Sequence, residues 1–449
     1  MTLWNGKAKN ETARKVERFT ASEDILLDQL IVKYDVIGTI AHLTMLNKIG
    51  VISKDELKRL KKALNEIIAL DRKGKFKITP EEEDVHTKVE THLSKHLGEV
   101  GRKIHAGRSR NDQILLDMRL YTKEKMLDIE KNILDLCYSL VKFGKKNKDI
   151  PMPGYTHFRK AMPSSVGLWI LSFAEALLDD LIMVKCAYKL NNQNPLGSAA
   201  SYGVPLNIDR SFTTKLLGFE KVQNNVLYVA NSRGKIESGV ISALSQVMID
   251  LSRLSTDLIL FSADEFDFFE IPSEFCTGSS IMPKKRNPDV LELIRARGNK
   301  VFSFLFQMIG IVKDLPSGYN RDLQETKEPL MKSLNTVNAC LDIMANLIDD
   351  LKVNEDKLIA AFTPEIFAAD KAFELVSKGV PFRDAHKEIE YNFMKLDKID
   401  PRESIKLKKH IGTTGNLGVN RLERQIVNEY RTLKSEKRAF AERINSLLA

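Results

Sequence analysis

The sequence predicts an all-α chain organised around a long central bundle of helices. Two observations carry that expectation. Four windows, residues 108–143, 168–194, 240–271 and 330–363, contain neither Gly nor Pro, and each exceeds the length of a usual globular helix. Almost no window alternates apolar and polar residues with the period of two that a half-buried strand needs.

The elements follow in chain order. Residues 1–106 are expected to form a helical N-terminal unit, interrupted by GKFKITPEEE (74–83). Residues 107–363 hold the four long windows. In the third of these, Val240, Ile241, Leu244, Val247, Met248, Leu251, Leu254, Leu258 and Ile259 recur at steps of three and four, which aligns them on one helical face. Ala243, Ile249 and Leu260 widen that face. At 1.5 Å per residue such windows make rods of roughly 40 to 50 Å, longer than a single globule needs. Rods with apolar surface on more than one side are expected to pack between subunits as well as within one, giving a homo-oligomer. Residues 364–449 change to shorter segments broken by GVPF and GTTGNLG and are expected to form a small helical C-terminal unit.

Composition excludes several classes. With 43% hydrophobic and 29% charged residues the chain is globular rather than disordered. No run of 18 or more apolar residues is present, and MTLWNGKAKNETARK lacks the apolar core of a signal peptide, so a cytoplasmic protein without membrane partners is expected. Cys137, Cys186, Cys276 and Cys340 show no CxxC spacing and read as reduced packing residues. The formal charge of +9 raises nucleic acid as a partner, but Lys and Glu interleave as on solvated helix faces. No nucleic-acid partner is expected; a mild positive field favours a small polyanionic substrate.

The unusual residues sit in the connections. HAGRSRNDQ (105–113) opens the first long window with two Arg, a Ser, an Asn and an Asp: a helix start suited to a carboxylate or phosphate, or a Ser or Asn that caps the helix. PMPGYTHFRKAMP (151–163) brackets Thr156 and His157 between prolines, and a fixed His serves as acid or base near neutral pH or simply as a hydrogen-bond donor. In EEEDVHTKVETHLSKH (81–96), His92 and His96 have the i, i+4 spacing of a zinc pair, but Leu93 stands where the zincin motif needs Glu, so no metal is expected. Asp84 with His86 reads as a substrate-facing pair or as a charge cluster at a helix start. TGSSIMPKKRNPD (277–289) is neither a nucleophile elbow nor a Walker loop. It offers a hydroxyl beside Lys285, Arg286 and Asn287, suited to removing a carbon-bound proton while cations stabilise the charge left on a carboxylate, and its Gly and Ser content suits a closing lid.

GSSIMPKKRNP resembles the signature loop of the fumarase and aspartase superfamily, whose members release fumarate from succinyl compounds. HAGRSRNDQ, PGYTH and SGYNRDLQETKEP (317–329) together resemble its argininosuccinate lyase branch, and the similarity runs from about residue 17 to GVPFRDAHK (379–387). The resemblance implies a homotetramer with a 20-helix core, active sites assembled from three subunits, and cleavage of argininosuccinate to arginine and fumarate without metal or organic cofactor.

It also implies roles. Ser279 matches the proton-abstracting Ser, and Lys285 and Asn287 the groups that stabilise the resulting aci-carboxylate. His157 matches the catalytic His, Glu292 the acid that holds it, and Thr156 its substrate-binding neighbour. Ser109, Arg110 and Asn111 match substrate anchors, Asp84 and His86 the EDVH positions, and Tyr319, Gln324 and Lys327 further substrate contacts. Arg233 matches an Arg of the 230s loop and Ser22 a Ser near the N-terminus. The chain departs from the branch at LWNGKA (3–8), at Arg159, where Gln is usual, at Thr326, where Asp is common, and at Ser232-Arg233-Gly234, which replaces a longer acidic run. The competing readings are another fumarate-releasing lyase, such as adenylosuccinate lyase or aspartase, and a silent structural relative of the crystallin type. Every catalytic position being filled favours an enzyme, and HAGRSRNDQ with NRDLQETKE favours the argininosuccinate branch.

Overall fold

The structure, a computed structural model, describes residues 24–79, 82–392 and 399–449 together with 15, 16, 19 and 20. Nine helices organise it: α1 (Val32–Lys48), α2 (Lys54–Arg72), α3 (Val85–Leu97), α4 (Arg110–Lys146), α5 (Val166–Asn191), α6 (Lys235–Phe261), α7 (Asp289–Val312), α8 (Lys327–Asp350) and α9 (Val419–Leu448). Shorter helices connect them. The fold is all-α, and no described helix is long and apolar enough to cross a membrane.

The core is the bundle of α4 to α8. Helix α4 packs on α5 and α8, α6 packs on α5, α7 and α8, and α1 and α9 lie against α4. Most of the stripe read from the sequence of α6 is buried: Val240, Ile241, Leu244, Val247, Met248, Leu251, Leu254 and Leu258 are all at most 1% exposed, whereas Ile259 and Leu260 are only partly buried and Ile249, expected to widen the face, is exposed. At 37 residues α4 is about 55 Å long. Its first turn is fixed by Ser109, whose side chain accepts from Asn111 N while Ser109 N donates to Asp112 Oδ1.

Two features differ from the Gly/Pro-gap reading. Helix α4 runs through Gly144, because α5 approaches so closely there that a Cβ would lie 2.8 Å from Leu171 Cδ2. Helix α7 contains Gly298 and Gly310, each a local cost of about 1 kcal/mol against Ala that tertiary packing overrides. Its spacing criterion therefore hid a fifth long helix.

Residues 151–165 form a hairpin rather than an irregular loop: β1 (Pro151–Thr156) pairs antiparallel with β2 (Arg159–Ser165). A two-residue turn closes it, with Thr156 opposite Arg159 and both His157 (φ 53°) and Phe158 (φ 58°) left-handed, the combination a right-twisted hairpin requires. The 277–289 stretch is also tied at its neck, where Thr277 and Gly278 pair with Asn287 and Arg286.

Several large apolar side chains of the bundle face outward. Leu293, Phe306 and Ile309 of α7 and Ile182 and Met183 of α5 are exposed, Phe306 by 75%.

Candidate active site

The site residues gather in separate groups. The first lines a cavity of about 180 Å³ where the starts of α3, α4 and α8 meet. Asp84, His86, Arg110, Asn111, Arg233, Tyr319, Gln324 and Lys327 all border it.

Each side chain is held by its local structure. Asp84 is the N-cap of α3: its Oδ1 accepts from Thr87 N at 2.7 Å, while Oδ2 accepts from Arg110 Nη1 at 2.8 Å. It therefore caps a helix and braces a cavity cation at once. His86, in the first turn of the same helix, has Nδ1 2.5 Å from Asp35 Oδ2. Ser109 is the α4 N-cap and does not border the cavity; Asn111, two residues on, does. Gln324 donates to Thr20 O at 2.9 Å.

Lys327 is 3% exposed at the start of α8, with Nζ 2.5 Å from Asp24 Oδ1 and 2.6 Å from Asp28 Oδ1. Burial acts to lower its pKa, but the Asp28 and Asp24 carboxylates outweigh that and hold the ammonium above its ordinary range. Arg233 is fully buried, which lowers its pKa, and its guanidinium carbon lies 6.0 Å from the Tyr319 ring centre. The corner that carries it is fixed by neighbours. Arg119 donates to Ser232 Oγ at 3.4 Å, Gly234 N donates to Glu237 Oε2 at 2.6 Å, and Gly234 has φ 82° with Val312 packed against it.

The second group lies at the other end of α6 and α7. Lys285, Asn287 and Glu292 line an open cleft of about 960 Å³ with Ile259 and Ser262 from the end of α6. Ser279 sits in the loop above, where its Oγ accepts from Ile281 N at 3.3 Å and Met282 N at 3.0 Å. Thr277 Oγ1 hydrogen-bonds Asp289 at the start of α7.

Thr156 and His157 form the third group, exposed at the hairpin tip. Behind them Tyr155 packs on Phe261 and Phe266, which ties the turn end of the hairpin to the end of α6. Among the described residues no hydrogen bond or ion pair joins His157 to Glu292 within one chain. Ser22 lies outside the described residues, as does LWNGKA.

Helices α6 and α7 are antiparallel: Gly234 meets Val312 at one end, and Ile259 and Ser262 meet Asn287 and Glu292 at the other. The stretch of α7 from Glu292 to Val312 thus separates Arg233 from Glu292 by about 30 Å. A single chain therefore holds the charged cavity and the loop of Ser279 and Lys285 most of a helix length apart.

The comparisons decide the family. A match to the lyase family, described simply as "Lyase", spans residues 6–303. The argininosuccinate lyase of Thermotoga neapolitana is 44% identical over 373 residues, 83% of this chain and 94% of its own. That of Phocaeicola vulgatus is 41% identical over 432 residues, 95% of this chain and 96% of its own. The chain belongs to the argininosuccinate lyase family. The fold is shared more widely than that family: an EDDS lyase solved with formate aligns with TM-score 0.81 at 20% identity, covering 94% of this chain and 91% of its own. A class II fumarase of Schistosoma mansoni aligns with TM-score 0.68 at 19% identity, covering 88% and 94%.

Within this argininosuccinate lyase family member, two sequence departures meet in space. Arg233 Nε donates to Thr326 Oγ1 at 3.4 Å, and Thr326 Oγ1 donates to Leu323 O at 2.6 Å. Arg159 is the β2 partner of Thr156 and is exposed beside it. His92 and His96 stack with ring centres 4.2 Å apart, away from the cavity lining.

Sequence reading missed Asp24, Asp28, Glu83 and Arg321, all of which border the cavity. Asp24 and Asp28 at i, i+4 mark one helix face, the only signal the sequence offered for them.

Proposed function

We infer that the chain cleaves argininosuccinate to arginine and fumarate by general acid–base elimination, as a cytoplasmic homotetramer whose active sites draw on three subunits. The observation that carries this reading is the split of one complementary set of groups between opposite ends of the α6–α7 pair. Neither end is sufficient alone; an assembly that sets one chain's cavity against another chain's loop unites them. The exposed apolar side chains of α5 and α7 supply surface for such packing. On this reading residues 1–106 and 364–449 cap the central unit, 107–363, which supplies the 20-helix core.

The chemistry follows from the groups. The cavity pairs acidic and basic side chains, suiting the charged arginine half, with Arg110, Asn111, Tyr319, Gln324, Lys327 and Arg233 as its binding groups. Ser279 Oγ removes the proton on the carbon beside a succinyl carboxylate. The doubly charged aci-carboxylate so formed is stabilised by Lys285 and Asn287 of the same loop. Expulsion of the guanidinium nitrogen needs an acid, which His157, held by Glu292 of another chain and flanked by Thr156, provides. Asp84, Ser109 and Ser22 complete the binding region, the first two through the helix starts that they cap. No step calls for a metal or an organic cofactor.

The test is fumarate release followed by absorbance with argininosuccinate, adenylosuccinate and aspartate in parallel. Turnover of argininosuccinate alone is expected. Release from another succinyl compound with argininosuccinate inert assigns a sister activity, and no release from any points to a silent relative.

A further inference from the structure

His86 borders the cavity, and behind it lies a buried acidic pair. Its Nδ1 is 2.5 Å from Asp35 Oδ2 and 3.8 Å from Asp117 Oδ2. The ligating atoms of Asp35, His86 and Asp117 lie within 4.8 Å of one another, and both carboxyl groups are 0% exposed. Gln113 Nε2 also donates to Asp35 Oδ2, at 2.6 Å. The only cation buried beside the pair among the described residues is Arg108, whose Nη1 is engaged by Thr39 Oγ1 at 2.9 Å. Asp28, the next acid, is taken by Lys327 and by Val85 N.

That leaves Asp35 Oδ1 and both oxygens of Asp117 without a donor. Three orphan acceptors on two adjacent buried carboxylates form an arrangement that two full charges make very costly. One proton between Asp117 and Asp35 Oδ1 removes a charge and supplies a donor together.

We propose that Asp35 and Asp117 share one proton and act as positioning residues for His86, fixing its Nδ1 in the protein and presenting Nε2 to the arginine half of the substrate. The geometry assigns the nitrogens, because Asp35 occupies Nδ1 and leaves Nε2 as the remaining ring nitrogen of a residue that borders the cavity. The electrostatics agree in direction. Burial and the neighbouring Asp35 push Asp117 well above the usual carboxylate range. Burial acts to raise Asp35 as well, but His86 and Arg108 outweigh it and hold that carboxyl low. The inference rests on the proposed cleavage only for the identity of what Nε2 meets; the shared proton stands on the protein alone.

The test uses the full-length protein. Infrared difference spectra of wild type against Asp117→Asn at pH 7, without substrate, read the acid directly: a carboxylic-acid C=O band present in wild type and lost in the variant is expected. Kinetics on argininosuccinate read the positioning. Asp117→Ala is expected to raise KM by roughly tenfold with kcat changed by less than about threefold, while Asp117→Asn returns KM to within about threefold of wild type, since its amide donates to Asp35 as the acid did. Absence of the acid band, an Asp117→Asn variant as impaired as Asp117→Ala, or a divalent metal bound stoichiometrically in the purified protein overturns the proposal. Wild-type inactivity on argininosuccinate with the acid band present overturns the substrate assignment instead and leaves the shared proton standing.

Discussion

Arg233 and Glu292 stand at opposite ends of one antiparallel helix pair, about 30 Å apart. Both belong to the same proposed active site. The separation is built into helix, so on the proposed reading the chemistry of this chain depends on its neighbours.

Ser279→Ala is expected to lower kcat by about 10³-fold or more, within the range of losing a general base in a site where no other group replaces it, and to leave the tetramer intact. The check is turnover measured on the same sample whose mass is confirmed by light scattering. Among the described residues the Ser279 side chain hydrogen-bonds only Ile281 N and Met282 N, so its loss has little structural reach.

Lys327→Met is expected to destabilise the fold by about 3–5 kcal/mol, because the buried Asp28 and the partly buried Asp24 then lose their cation. Chemical denaturation measures it. Adding Asp28→Asn to the same chain is expected to recover part of the loss, whereas independent sites would give a larger total.

Gly234→Ala is expected to cost about 1–3 kcal/mol and to weaken catalysis, since a left-handed corner and Val312 leave no room for a methyl group. The corner holds Arg233 in the cavity, so KM is expected to rise. Thermal unfolding with a KM measurement checks both halves.

Glu130, buried in α4, is pushed up to about 7 by burial, with Lys185 opposing and Glu436 and Glu429 adding to it. The folded chain therefore keeps a proton that the unfolded chain, near 4.5, has released. Stability from this group is full below about pH 4.5 and lost as pH rises through about 7. Glu130→Gln is expected to raise Tm at pH 8 and to leave it nearly unchanged at pH 4.5. A variant less stable at pH 8 contradicts the assignment.

Much of this architecture was legible from punctuation. The Gly/Pro-free windows located α4, α5, α6 and α8, and the stripe of Val240 to Leu258 is the buried face of α6. Helix α7 was hidden by Gly298 and Gly310, which tertiary packing tolerates, and the 151–165 hairpin by three prolines and a turn whose left-handed His157 and Phe158 follow no turn-residue preference. For the site, the motifs indicated the residue types, and the fold shows which of them share a cavity. Asp35 and Asp117 were illegible because burial, not spacing, makes them unusual, and for Asp24 and Asp28 the i, i+4 spacing gave a face but not the cation that they hold.

The most direct measurement mixes two variants that are each expected to be inactive, Ser279→Ala and Asn111→Ala, whose lesions lie at opposite ends of the bundle. After subunit exchange verified by native mass spectrometry, the shared-site account predicts recovered fumarate release, because hybrid assemblies contain sites with an intact loop from one chain and an intact cavity from another. Verified hybrids without recovered activity contradict it.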